Sequence, residues 1–175
     1  MSLLPRSRAT IAVFLLTPVL ASAQDVTEPS LKAAFIYNFT KFTAWPAAVM
    51  PLAGPLVVCV LGDPAVSSAL ERTVKGRVLE GHSMAVSYVA LAGPQRACHV
   101  LYVSGVTADQ AKRIVAALRD EPVLTISDIE GFTELGGIAQ FFYEHGQLRF
   151  SVQLESARRA RLQISSKLLA LANQK

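Results

Sequence analysis

The stretch Leu56-Val57-Val58-Cys59-Val60-Leu61, followed by Gly62-Asp63-Pro64 and a helical pattern over residues 65–74, decides the fold class. An unbroken apolar run rich in Val reads as a strand buried on both faces, because a strand covered on one side only would alternate apolar with polar. The Gly-Asp-Pro turn then leads into a helix, where Pro in the first turn lacks only an N–H that has no intrahelical acceptor. The same grammar recurs downstream. Residues 99–103 are a second apolar run, residues 108–118 a helix with Ala111, Ile114, Val115 and Leu118 on its inner face, and residues 123–126 a third short strand. Strands alternating with helices at these lengths predict an α/β fold: a mixed, mostly parallel sheet flanked by helices.

Working outward, Glu28-Pro29-Ser30 opens an earlier helix in which Leu31, Phe35, Phe39 and Phe42 form one apolar stripe. Lys32 and Lys41 lie off that stripe, and Trp45-Pro46 is the expected stop. Residues 77–79 and 84–90 read as further strands. Towards the other end, residues 138–143 and 148–154 flank Glu144-His145-Gly146-Gln147, a C-terminal antiparallel hairpin. Leu148, Phe150, Val152 and Leu154 are expected to face one way, with Arg149, Ser151 and Gln153 facing the other. Ala157, Ala160, Ile164, Leu168 and Leu171 predict a final helix.

Residues 1–23 carry a different signal. Arg6 and Arg8 form a basic start, residues 9–20 are uncharged and apolar, and Ala21-Ser22-Ala23 has the small-x-small pattern of a cleavage site. The expectation is a signal peptide cut near Ala23/Gln24, with residues 24–175 forming one domain. The apolar run falls short of the ~20 residues that a spanning helix needs, and no cysteine near the cut provides a lipid anchor. The formal charge of +4 falls by two once Arg6 and Arg8 leave. So weak a balance argues against nucleic acid as a partner.

An exported chain gives its Cys59 and Cys98 a meaning. In an oxidising compartment an even pair is more often bridged than free. Two buried thiols are the alternative reading. Neither cysteine belongs to a metal-binding pattern, and His82, His99 and His145 show no ligand spacing, so no metal site is expected. There is no nucleophile elbow, phosphate-binding loop or dinucleotide fingerprint, so no catalytic residue and no cofactor are expected either. Asp63, Ser104, Ser127 and Asp128 each fall just after a predicted strand. In open α/β sheets that is where ligands bind, and the four could line one polar crevice; helix capping and turn chemistry are the simpler and favoured reading of the same residues. Phe132, in the loop before Gly136-Gly137, reads as a core plug or an exposed apolar contact. Arg158 and Arg159, with Arg161 and Lys167, make a basic face that is either solvated or docks on an acidic partner.

Several stretches go beyond pattern. Leu31-Lys32-Ala33-Ala34-Phe35-Ile36-Tyr37-Asn38-Phe39-Thr40-Lys41-Phe42 with Trp45-Pro46 resembles the opening of YfiR-like periplasmic regulatory proteins. Cys98-His99-Val100-Leu101-Tyr102-Val103-Ser104 is similar to that family's central strand. Gly131-Phe132, Gly136-Gly137-Ile138, Ala157-Arg158-Arg159-Ala160 and Ile164-Ser165-Ser166-Lys167-Leu168-Leu169 resemble its far end. Gln153 departs from the pattern, which has Asn after the second hairpin strand, and a second cysteine pair found in some members is missing. The resemblance implies a non-enzymatic periplasmic repressor. Such a protein binds the periplasmic sensor domain of an inner-membrane diguanylate cyclase, a GGDEF-domain protein, and lowers cyclic di-GMP and biofilm formation. It implies no membrane insertion, and dimers are common among members. The second reading is a periplasmic small-molecule sensor acting on another membrane receptor.

Overall fold

Along the central strands, neighbouring side chains are sorted onto opposite faces of one sheet, and both faces are covered. The computed structural model describes residues 27–50, 54–93 and 95–172. In chain order the elements are α1 (Glu28–Lys41), β1 (Thr43–Ala44), β2 (Leu56–Leu61), α2 (Pro64–Val74), β3 (Val78–Leu79), β4 (His82–Tyr88), β5 (Val100–Val103), α3 (Ala108–Ala117), β6 (Leu124–Ser127), β7 (Ala139–Glu144), β8 (Gln147–Val152), α4 (Leu154–Arg159), β9 (Gln163–Ile164) and α5 (Ser166–Leu169). The main sheet has seven strands in the order β3-β4-β2-β5-β6-β7-β8. Neighbours from β4 to β7 run parallel, while β3 and β8 close the two edges antiparallel. The fold is the mixed, mostly parallel α/β sheet that the sequence predicts.

Leu56, Val58, Val60, Val100, Tyr102, Leu124 and Ile126 join the larger core, shared with α1, α2 and the C-terminal elements. Cys59, Leu61, Leu101 and Val103 point the other way and pack with Ile114 and Leu118 of the α3 segment. Two-faced burial explains the continuous apolar runs. Cys59 and Cys98 are joined by a disulfide on the α3 face, with Cα atoms 5.8 Å apart.

The hairpin is pinned to α1 by rings. Phe35 and Phe39 meet Phe141 and Phe150 edge-on, with centroids between 4.9 and 5.9 Å apart. Such pairs contribute ~0.5–1.5 kcal/mol each beyond area burial. His145 and Gly146, with φ of 49° and 74°, make the two-residue turn whose twist suits a hairpin.

Three expectations change. First, α1 ends at Lys41, ahead of Trp45, because Thr43 and Ala44 leave the helix to pair antiparallel with Ile164 and Gln163. Second, the predicted final helix is divided. After α4, Arg161 takes a φ of 57°, β9 completes the small sheet with β1, and only then does α5 begin. Leu162 and Leu168 are buried through that break, whereas Leu154 starts α4 exposed and Leu171 is 70% exposed. Third, the buried face of α1 is wider than one stripe. Ala33 and Ile36 are fully buried because α1 lies against both the sheet and α2, and Lys32 is buried with them. Among the described residues no helix is long and apolar enough to cross a membrane.

Candidate functional site

In this strand order the chain turns from one side of β2 to the other, so the carboxyl ends of β2 and β5 flank the topological switch point. That is where the sequence places a crevice, and there the backbones after β2 and β5 approach closely. Gly62 sits with φ 86° directly against the Ser104 carbonyl, so that a Cβ would overlap the oxygen, and Ser104 N–H donates to the Leu61 carbonyl at 3.0 Å. Two of the four crevice residues turn to local work. The Asp63 carboxylate accepts from the N–H groups of Ala65 and Val66 at 3.0 Å each, capping α2. Ser127 Oγ donates to the Val103 carbonyl at 2.7 Å and accepts from Ile129 N–H at 3.0 Å.

Ser104 and Asp128 do meet, and they meet three residues that the sequence reading did not place with them. Asp128 Oδ2 accepts from Lys32 Nζ at 2.7 Å, Tyr102 OH at 2.8 Å and Ser104 Oγ at 3.2 Å. Lys32 Nζ also pairs with Glu28 Oε1 at 2.7 Å, one helical turn earlier. The network ties the first turns of α1 to the ends of β5 and β6. Its charges hold one another. Burial pulls the Lys32 ammonium down, but hydrogen bonds to Asp128 and Glu28 outweigh it and keep the group above its ordinary value. Burial pushes the Asp128 carboxyl up, and the bonds from Lys32 and Tyr102 more than reverse that. Burial and the Asp128 charge push the Tyr102 phenol far up, so it remains a donor throughout the physiological range.

Beside this network lies a cleft of about 450 Å³, bounded by the start of α1, the residues after β6 and the β7–β8 hairpin. Glu28, Lys32 and Asp128 form its polar floor, while Phe142, Tyr143 and Leu148 come from the hairpin. Signals for it exist in the sequence: Glu28 and Lys32 have helix-pair spacing, and Tyr102 is the one residue with a polar tip in an apolar strand, which needs a partner when buried. Among the described residues no three His, Cys, Asp or Glu side chains converge to hold a metal ion.

Phe132 is fully buried against Ala111 and Val115, so its ring is a core side chain and not a docking contact. The same ring lies so close over Gly137 that a Cβ there would overlap it. Arg158 and Arg159 are exposed; Arg158 pairs with Glu155 at 2.6 Å and Arg159 donates to Ser156 Oγ at 3.0 Å. His99 is structural: its Nδ1 accepts from Val57 N–H at 3.0 Å and its carbonyl from Trp45 Nε1 at 3.3 Å. Burial pushes its imidazole below the ordinary value.

A family model described as YfiR/HmsC-like matches residues 29–173, nearly all of the described chain. The chain belongs to the YfiR/HmsC-like family. No curated protein gives a match. The segments that resemble the family in sequence have physical tasks here. The Phe-rich opening of this YfiR/HmsC-like protein is α1, which grips the hairpin. Gly131-Phe132 and Gly136-Gly137 build the loop that buries a phenyl ring over a glycine. Gln153, the departure from the family pattern, caps α4 by accepting from Glu155 N–H at a long 3.4 Å.

Proposed function

We propose that this protein is an exported, non-catalytic regulator. In this reading it is cleaved near Ala23/Gln24 and works in the periplasm as one domain over residues 24–175, alone or as a homodimer. It binds the periplasmic sensor domain of an inner-membrane diguanylate cyclase and represses cyclic di-GMP synthesis, and hence biofilm formation. The observation that carries the reading is membership of the YfiR/HmsC-like family across residues 29–173. The physics is compatible with it: a repressor needs no nucleophile, and it acts by binding the inactive form of its receptor better than the active form. Arg158 and Arg159 are the residues offered for contact with an acidic surface of that receptor.

Deleting the protein in a strain that expresses the cognate cyclase is expected to raise cyclic di-GMP, and restoring it in the periplasm to reverse the rise. Unchanged cyclic di-GMP, with both proteins verified as expressed, overturns the proposal. A second reading, a small-molecule sensor acting on a different membrane receptor, is favoured by the cleft beside Lys32 and Asp128. Crosslinking in intact envelopes separates the two, since it captures either a GGDEF-domain protein or a receptor of another class.

A further inference from the structure

The cleft falls within the ~300–1,000 Å³ range of small-molecule sites, and repression by surface contact does not require it. Its lining decides the sign of any ligand. Glu28, Asp128 and Glu130 contribute carboxylates, and Lys32 is the one cation among the described lining residues. Lys32 already donates to both Glu28 and Asp128, so an incoming anion would find no uncommitted positive charge and an excess of negative charge. The positive end of α1 is itself answered by Glu28 in its first turn.

Asp128 gathers all three of its side-chain donors on Oδ2. Oδ1 receives none among the described residues, and 23% of this side chain stays exposed. A bare metal ion does not suit the site, because the carboxylates do not converge. The hairpin wall on the α1 side is made by the Tyr143 ring and Leu148, a directly opposed cross-strand pair, next to Phe141.

We propose that this cleft binds a small organic amine. The ammonium would sit at Asp128 Oδ1 and Glu130, and the apolar body would lie along Leu148 and the Tyr143 ring, which pair across the hairpin on one face. The site goes beyond the repressor reading and does not depend on which receptor the protein serves.

The test uses phenethylamine and two near-isosteres, the neutral 2-phenylethanol and the anionic phenylacetate. Each is titrated into the purified protein by calorimetry and by amide chemical-shift mapping. The expected result is saturable binding of the amine alone, with shifts at residues around Asp128 and the hairpin. Asp128 belongs to the folding network, so the diagnostic variant is Glu130→Gln, at an exposed position with no ion pair to lose among the described residues. It is expected to leave the melting temperature of the free protein unchanged and to weaken the amine about three- to tenfold, as the loss of one nearby charge implies. Absence of amine binding at millimolar concentration, equal binding of the alcohol, shifts confined to another surface, or an unchanged affinity in Glu130→Gln would each overturn the proposal. None of these readouts involves the cyclase, so the site and the repressor reading fail separately.

Discussion

Replacing Lys32 by Met keeps most of the aliphatic stem and deletes the ammonium, leaving Asp128 charged and partly buried with only Tyr102 and Ser104 as donors. Removing one partner of a buried ion pair costs ~3–5 kcal/mol. The Asp128 side chain is 23% exposed, so water can recover part of that loss. We therefore expect Lys32→Met to lose about 2–3 kcal/mol, a fall in melting temperature of about 4–12 °C at this chain length. In Lys32→Met/Asp128→Asn neither charge remains, and the amide oxygen can still accept from the buried Tyr102 hydroxyl, so the cost is close to neutral. The double variant should thus be more stable than Lys32→Met alone. Urea denaturation of the four proteins of the cycle, followed by circular dichroism, gives the coupling energy, expected at about 1.5–3 kcal/mol. The pH dependence supplies a second reading. Because Asp128 is held below its ordinary value, its contribution is present above about pH 4 and is lost as the pH falls through the folded value. Lys32 is held above its own value, so its contribution is lost only on the far alkaline side. Additive single-variant effects, or a Lys32→Met cost below about 1 kcal/mol, would refute the view that this network anchors α1 to the sheet.

Three more expectations follow from other contacts. Reduction of Cys59–Cys98, or its replacement by two alanines, should lower stability by about 4 kcal/mol in the chain-entropy estimate for a sequence separation of 39; a shift under about 1 kcal/mol in urea midpoints of the oxidised and reduced proteins would contradict it. His99 is kept neutral by burial and accepts from Val57 N–H, so the unfolded chain takes up its proton first. Stability should fall as the pH drops below about 6.5, and that slope should be missing in His99→Gln. Gln153→Asn shortens a cap that reaches Glu155 N–H only at 3.4 Å, and should raise stability by about 0.5 kcal/mol in thermal melts, with a decrease counting against the capping role.

Much of the architecture was legible because it follows from local pattern. The runs at residues 56–61 and 100–103 are apolar throughout since both sheet faces are covered, and α3 shows its inner face at helical spacing. The C-terminal segment misled the same rule. Ala157, Ala160, Ile164 and Leu168 keep helical spacing, but pairing between Gln163–Ile164 and Thr43–Ala44 offers the backbone partners that a helix through Arg161 would forgo. That competition is between segments far apart in the chain, and periodicity does not register it. The site was half legible for a similar reason. Positions after the strands pointed to Ser104 and Asp128, but Lys32 and Tyr102 join them only through packing between segments far apart in the chain.

By itself the sequence determined the strand–helix alternation, the apolar faces, the turn positions and the family resemblance, all set by short-range sterics and by which residues avoid water. Only the tertiary structure decided that Lys32, off the apolar stripe of its helix, is buried on Asp128, that Phe132 is core, and that a cleft lies by the hairpin. A charge enters the interior only where a partner waits, and that partner lies 96 positions further along the chain.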